Sequence, residues 1–153
     1  MMSTKPTSVL FLCTGNSARS QIAEALLTTR GKGRFHVGSA GVRPAAAVNQ
    51  YAVEILGELG IDWSGRHPKT IDDVLGESWD LVITVCAHAK ESCPILPGHP
   101  TYAHWSLDDP AAIEGDDATK RAAFRLTALD LARRIDLLLA IPGHRLAPAT
   151  GAP

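Results

Sequence analysis

The chain of 153 residues predicts an α/β fold, a doubly wound parallel sheet in a single domain. Three observations carry that prediction. Strand-like and helix-like segments alternate from residue 8 to residue 140. Leu81-Val82-Ile83-Thr84-Val85 is an unbroken apolar run rich in β-branched residues, as expected of a strand covered on both faces. Turn residues separate the segments, and no internal repeat is visible.

Taken in order, Ser8 to Leu12 reads as a buried strand. Gln21 to Thr29 reads as a helix with Ile22, Leu26 and Leu27 facing inward. Phe35 to Ser39 is a second short strand. Asn49 to Leu59 is a helix with Val53, Leu56 and Leu59 on one face, stopped by Gly60. Ile71 to Leu75 reads as a short helix, Leu81 to Val85 as the third strand and Thr101 to Trp105 as a fourth. Asp117 to Ala140 is a long helix with Phe124, Leu131, Ile135 and Leu138 as core contacts. The domain is expected to span residues 1–143. Met1 to Pro6 and the Ala- and Pro-rich stretch 144–153 are expected to be disordered.

Composition excludes several function classes. Net charge is −1, and acids and bases are interspersed, so no nucleic-acid footprint is expected. No apolar stretch reaches the ~20 residues of a membrane span. The polar N-terminus lacks a signal-peptide core, so the expected location is the cytoplasm. Three cysteines in a reducing compartment do not make a structural disulfide framework. A monomer is the default expectation.

The chemistry is concentrated in Cys13-Thr14-Gly15-Asn16-Ser17-Ala18-Arg19-Ser20, between the first strand and the first helix. Backbone N–H groups at a helix N-terminus, together with the helix dipole, attract an anion. Gly15 is expected to let the loop turn tightly and approach a ligand. Arg19 offers a planar fork to two oxygens of a phosphate-like group. Cys13 in that field is expected to be a thiolate and a nucleophile, its pKa drawn down from the ordinary ~8.5. Ser20 could donate to the sulfur, and Asn16 is suited to brace the loop in a left-handed conformation. An inert buried cysteine is the plain alternative for Cys13, but Gly15, Ser20, Arg19 and the flanking strand and helix all agree with the cradle. Residues 14 to 20 are thus the candidate oxyanion-binding loop.

The run Cys13 to Glu24, CTGNSARSQIAE, resembles the low-molecular-weight protein tyrosine phosphatase superfamily. The likeness extends through Ser39-Ala40-Gly41, Leu81 to Pro97, His104-Trp105 and Asp109-Pro110, which spreads it over most of the chain. Within the superfamily the chain is most similar to the thioredoxin-coupled arsenate reductases. The resemblance implies a four-stranded parallel sheet flanked by helices, in a phosphotyrosine phosphatase I-like three-layer fold. It also implies Cys13 as nucleophile and Arg19 as oxyanion clamp.

Expelling an oxygen from a tetrahedral oxyanion is helped by a nearby carboxylic acid. Asp108-Asp109-Pro110 supplies two candidates. Pro110 biases Asp109 toward an extended backbone, which is expected to aim its side chain rather than let it cap a helix. The resemblance also places the acid before the proline, so Asp109 is chosen over Asp108. The next residues are Ala111-Ala112, where related tyrosine phosphatases carry tyrosines. Without flat aromatic walls for a phenyl ring, a small inorganic oxyanion is the expected substrate.

Cys86 and Cys93 are separated by six residues. Their spacing and context, Val85-Cys86 and Cys93-Pro94-Ile95-Leu96-Pro97, are similar to those of the redox cysteines of the arsenate reductases. His88 lies close to Cys86, but a zinc site needs about four ligands at tighter spacing, so no metal is assigned there. A continuous helix would hold the two α-carbons ~10 Å apart, beyond the ~7 Å a disulfide tolerates. The segment is therefore expected to be irregular and mobile. The resemblance implies a relay in which arsenate is bound and attacked by Cys13. Cys86 then closes a disulfide on Cys13, Cys93 takes over that disulfide, and thioredoxin or another thiol donor reduces it. No organic cofactor is needed. Ala18 replaces a fourth cysteine of some members, with no mechanistic loss expected. A potassium ion stays open: Asn16, Glu24 and Ser39 match its ligand positions, whereas Arg66-His67-Pro68-Lys69-Thr70 diverges where further ligands would come. The alternatives are a phosphomonoesterase of the same fold, with the cysteine pair protecting Cys13, and a non-catalytic binding module.

Overall fold

The computed structural model describes residues 5–85 and 100–142. Cys86, Cys93 and the tail from His144 lie outside the described residues. Four strands, β1 (Thr7–Cys13), β2 (Phe35–Gly41), β3 (Leu81–Thr84) and β4 (Thr101–His104), form one sheet in the order β2-β1-β3-β4. All three pairings are parallel. Among the described residues three helices accompany them: α1 (Arg19–Gly31), α2 (Gln50–Glu58) and α3 (Asp117–Ala140).

Parallel strands must be covered on both faces, and β1 shows how. Val9, Phe11 and Cys13 face the larger core with Ile22, Leu26, Ile55, Leu56, Leu131 and Ile135 from the three helices. Leu10 and Leu12 point the other way and meet Ile71, Val74, Trp79 and Val82. Residues 9 to 12 are fully buried. Each such side chain contributes about 1.5–3 kcal/mol relative to exposure. The short helix expected at Ile71 to Leu75 is a single 3-10 turn, Asp72–Val74, and it covers this second face.

Helix α3 has the bounds read from the sequence, and Phe124, Leu131, Ile135 and Leu138 are all buried. Asp116 caps it by accepting from Thr119 N at 2.9 Å. The inward face of α2 differs from the expectation. Tyr51, Ala52, Ile55 and Leu56 are buried, Val53 is partly covered and Leu59 is half exposed. The helix ends at Glu58, so Leu59 leaves the helical face before Gly60 turns the chain at φ 81°. On the surface, Arg121–Glu54 and Arg125–Glu58 lash α3 to α2. The hydrogen bond from Arg125 holds the Glu58 carboxyl below its ordinary range. Any stability this pair adds is present above the unfolded carboxylate pKa and lost as pH falls through the lowered one.

Phe124 is 1% exposed and its ring lies 5.6 Å from that of Tyr51. Phe124→Ala is expected to cost about 3–5 kcal/mol, because α1, α2 and α3 cannot all close on the cavity. Urea unfolding at constant m-value checks it.

The order of the strands decides where a ligand can sit. From β1 the chain first moves outward to β2, then crosses back to β3 on the other side of β1. The switch point is the carboxyl end of β1, the usual ligand crevice of such sheets. Cys13 is the last residue of β1. No described helix is long and apolar enough to cross a membrane.

Candidate active site

The loop from Thr14 to Ala18 is held from outside by its carbonyl groups. Cys13 O, Thr14 O, Gly15 O and Ser17 O accept from Val42, Arg43, Ala45 and Asn49 N–H respectively, at 2.8–3.3 Å. Asn16 O accepts from Gln21 Nε2 at 3.2 Å, and Ala18 O from Ile22 N at 2.9 Å. In a planar trans peptide the N–H of the next residue points opposite to the carbonyl. The N–H groups that follow those carbonyls are thereby turned away from the segment 42–49, and one of them, Asn16 N–H, is bonded to the sulfur. Ala18 precedes α1 with no side-chain cap, so the helix terminus itself presents donors there. The loop has the backbone form that an anion cradle requires, and its carbonyl anchoring is invisible in the sequence.

The strained residue of the loop is Asn16, at φ 51°. Gly15 does not carry the turn: a Cβ there would meet only Ser17 Oγ at 3.6 Å, an ordinary contact. Asparagine tolerates the left-handed region because its short side chain can bond locally. The glycine that packing requires is Gly41 at the end of β2. A Cβ on it would lie 2.6 Å from Thr14 O and 2.9 Å from Asn16 N, both backbone atoms. No local signal in the sequence marks Gly41 for this packing role, because the backbone it meets lies 25 or more residues away.

Cys13 is 3% exposed. Its Sγ accepts from Asn16 N at 3.1 Å and lies 2.8 Å from Ser20 Oγ. Asn16 Nδ2 donates to Ser20 Oγ at 2.8 Å. That bond occupies a lone pair of the hydroxyl and leaves its hydrogen for the sulfur. Two donors thus converge on Sγ, the arrangement that favours a thiolate. Asn16 is fully buried and satisfied on all sides. Its Nδ2 also reaches Ser39 Oγ at 2.9 Å, and its Oδ1 accepts from Lys69 N at 2.8 Å and Gln21 Nε2 at 3.0 Å. Gln21 in turn accepts from Trp63 Nε1 at 2.8 Å. The brace expected of Asn16 is present and reaches β2, α1 and the stretch at residue 69.

Arg19 opens α1 at the lip of the cradle. Its Nη1 donates to Leu107 O at 2.9 Å, and Nη2 stands 3.9 Å from Asp109 Oδ2. One N–H of five is committed to the carbonyl, leaving the fork for an oxyanion. The Leu107 carbonyl has no sequence signal, since any residue could supply it. Asp109 has the extended backbone expected before Pro110, φ −78° and ψ 110°. Its side chain does cap a turn, against expectation: Oδ1 accepts from Ala111 N at 2.9 Å at the start of the 3-10 turn Pro110–Ala112. Proline at the first position of that turn leaves the next N–H for the aspartate. Oδ2 is the oxygen left toward Arg19. Ala111 and Ala112 are exposed.

Glu24 is a buried carboxylate on α1. Ser39 Oγ donates to its Oε1, Lys69 Nζ lies 3.5 Å from both Oε1 and Ser39 Oγ, and Arg66 Nη1 lies 3.9 Å from Oε2. These are the residues that match potassium ligands, and the donor set does not suit a potassium ion. Asn16 presents its amide nitrogen to Ser39, its oxygen is engaged elsewhere, and an ammonium already stands against Glu24. Two positive charges about 4 Å apart repel by about 4 kcal/mol at an effective dielectric of 20. A buried glutamate on the inward face of a helix was the available signal for a cationic partner.

The structure thus brings Cys13, Arg19, Ser20 and Asp109 to one rim of the sheet. Val85, the residue before Cys86, donates to Leu12 O at 2.9 Å, directly before Cys13. The family described as low molecular weight phosphotyrosine protein phosphatase matches residues 8–140. The chain belongs to this family. A curated relative, an arsenate reductase of Halalkalibacterium halodurans, is 43% identical over 127 residues, covering 83% of this chain and 91% of the relative. Among solved structures, an arsenate reductase of Archaeoglobus fulgidus superposes with a TM-score of 0.72 at 31% identity, over 87% of this chain and 99% of that one. A thioredoxin-dependent arsenate reductase of Corynebacterium glutamicum gives 0.62 at 33% identity, over 90% of this chain and 65% of that one.

The cradle makes a distinction between the paired aspartates testable. Asp109→Asn is expected to slow the first chemical step by roughly 10²–10⁴, the usual reach of general acid catalysis. Asp108→Asn should do far less. Rapid-quench measurement of the step under single-turnover conditions checks the order of the two.

Proposed function

We propose that this chain reduces arsenate to arsenite, using Cys13 as nucleophile and a cysteine relay closed by thioredoxin or another thiol donor. The observation that carries the reading is the meeting, at the carboxyl end of β1, of Cys13 with Asn16 N–H on its sulfur and of Arg19 with Asp109 beside it. The arsenate reductases among its relatives support it.

Arsenate is held by the loop N–H groups and the Arg19 fork. The Cys13 thiolate attacks arsenic, a Cys13–As bond forms, and an oxygen leaves as water with a proton from Asp109. Cys86 thiolate then attacks Cys13 Sγ. A Cys13–Cys86 disulfide forms, the Cys13–As bond breaks, and its electron pair goes to arsenic, which leaves as arsenite. Two thiols have lost two electrons and As(V) has gained them. Cys93 attacks Cys86 and releases the Cys13 thiolate, leaving a Cys86–Cys93 disulfide. A dithiol donor such as thioredoxin reduces that bond. The exposed Ala111 and Ala112 beside Asp109 offer no walls to an aryl group, which disfavours the phosphatase alternative.

The test is a coupled assay: NADPH oxidation with arsenate, thioredoxin and thioredoxin reductase. Turnover that requires both arsenate and thioredoxin is expected. Hydrolysis of an aryl phosphate with no arsenate reduction would select the phosphatase instead.

A further inference from the structure

Lys69 occupies a specific place behind the cradle. Its backbone N–H donates to Asn16 Oδ1 at 2.8 Å, and its carbonyl accepts from Gly41 N at 2.9 Å. The backbone at residue 69 is therefore tied both to the loop and to the end of β2. Its side chain turns the ammonium to within 3.5 Å of Glu24 Oε1 and 3.5 Å of Ser39 Oγ, with its own side chain 28% exposed. From that ammonium a continuous set of hydrogen bonds leads to the nucleophile. Ser39 Oγ receives Asn16 Nδ2, Asn16 Nδ2 reaches Ser20 Oγ, and Ser20 Oγ meets Cys13 Sγ.

The direction of those bonds matters. Ser39 gives its hydrogen to Glu24, so its lone pairs face Asn16 and Lys69. With Ser39 held as acceptor, Asn16 must present its amide nitrogen, and its other N–H is then aimed at Ser20. Ser20 accepts that bond and turns its own hydrogen to the sulfur. A buried Glu24 left without a cation would be costly in its ionised form, and a protonated Glu24 could donate to Ser39 and reverse the set. The cation beside Glu24 therefore holds the polarity of every bond up to Cys13.

We propose that the Lys69 ammonium is a tethered monovalent cation, standing where a free potassium ion would otherwise neutralise Glu24. It is a positioning residue: it touches neither substrate nor sulfur and acts through Glu24, Ser39 and Asn16. Being covalently attached, it makes the cradle independent of potassium in solution. The activity arm of its test rests on the arsenate-reduction reading, and the stability arm does not.

The experiment compares the wild-type chain with Lys69→Gln and Lys69→Arg in potassium chloride and in choline chloride at equal ionic strength. Tm and the arsenate KM and kcat are measured for each. The wild-type Tm and KM should be the same in both salts. Lys69→Gln should lose roughly 5–15 °C in Tm, because the buried carboxylate keeps only the half-exposed Arg66 guanidinium, 3.9 Å from its other oxygen. It should raise KM more than it lowers kcat, and recover part of its Tm in potassium but not in choline. Lys69→Arg, which keeps the charge, should behave nearly as wild type. A potassium-selective shift in wild-type Tm or KM would overturn the proposal. So would a Lys69→Gln chain with wild-type Tm and KM, or a folded one indifferent to potassium. If no variant reduces arsenate, the functional reading falls, while the wild-type and variant Tm values still decide the role of Lys69.

Discussion

Cys13→Ser should abolish arsenate reduction while leaving the fold in place. The sulfur sits at the carboxyl end of β1 with two donors on it, Asn16 N and Ser20 Oγ. Those donors favour a charged sulfur, and thiolates are accessible near neutral pH. A serine hydroxyl in the same position has no comparable route to an anion, because an alcohol is a far weaker acid than a thiol and two donated hydrogen bonds do not remove its proton. It would also lack the ability to leave arsenic as part of a disulfide, so reduction would be blocked even if an ester formed. Structurally the exchange is mild. The serine oxygen can accept the Asn16 N–H and meet Ser20, so no buried polar group is orphaned, and the stability change should stay within about 1.5 kcal/mol. Arsenite release in a single turnover and urea unfolding separate the two effects. Substantial residual turnover in this variant would remove Cys13 from the mechanism.

Cys93→Ser should release one arsenite per enzyme and then stop. Cys13 and Cys86 together supply the two electrons, so the first reduction needs nothing further. The resulting Cys13–Cys86 disulfide would include the buried Cys13 sulfur, 3% exposed in the structure, and an external dithiol needs access to the sulfur it attacks. Cys86→Ser should stop one step earlier, with arsenic still bonded to Cys13 and no arsenite released. Peptide mapping of the trapped species distinguishes the two. Normal cycling of Cys93→Ser with thioredoxin would break the relay. Arsenite release by Cys86→Ser without added thiol would assign the resolving step to another group.

Much of the architecture was legible because it rests on local signals. The apolar run at residues 81–85 and the heptad-like burial of α3 announce themselves through side-chain period. Asn49, read as the first residue of α2, is instead its N-cap and accepts from Tyr51 N, while Asp116 caps α3 by accepting from Thr119 N. The α2 face was misread at Leu59 because a helix boundary shifts which residue still belongs to the helical stripe. The site divided along similar lines. Cys13, Asn16, Arg19, Ser20 and Asp109 could be named from residue type and spacing, since each has chemistry that few other residues supply. Leu107 could not, because a backbone carbonyl carries no mark in the sequence. The capping role of Asp109 was missed because Pro110 leaves the following N–H open as well as restricting the residue before it.

The sequence alone determined the alternation of strands and helices, the cysteine at the end of the first strand, and the family, since these depend on residue identity at short separations. The tertiary structure decided the polarity of the cradle. Its carbonyls are anchored by residues 42–49, Gly41 yields the room for it, and Asn16 binds Ser39 and the Lys69 backbone across 23 and 53 residues of sequence. Those partners meet only because the parallel sheet places β2 beside β1, so that residues remote along the chain share one rim. A hydrogen bond reads distance and angle, and neither is encoded in the spacing of letters.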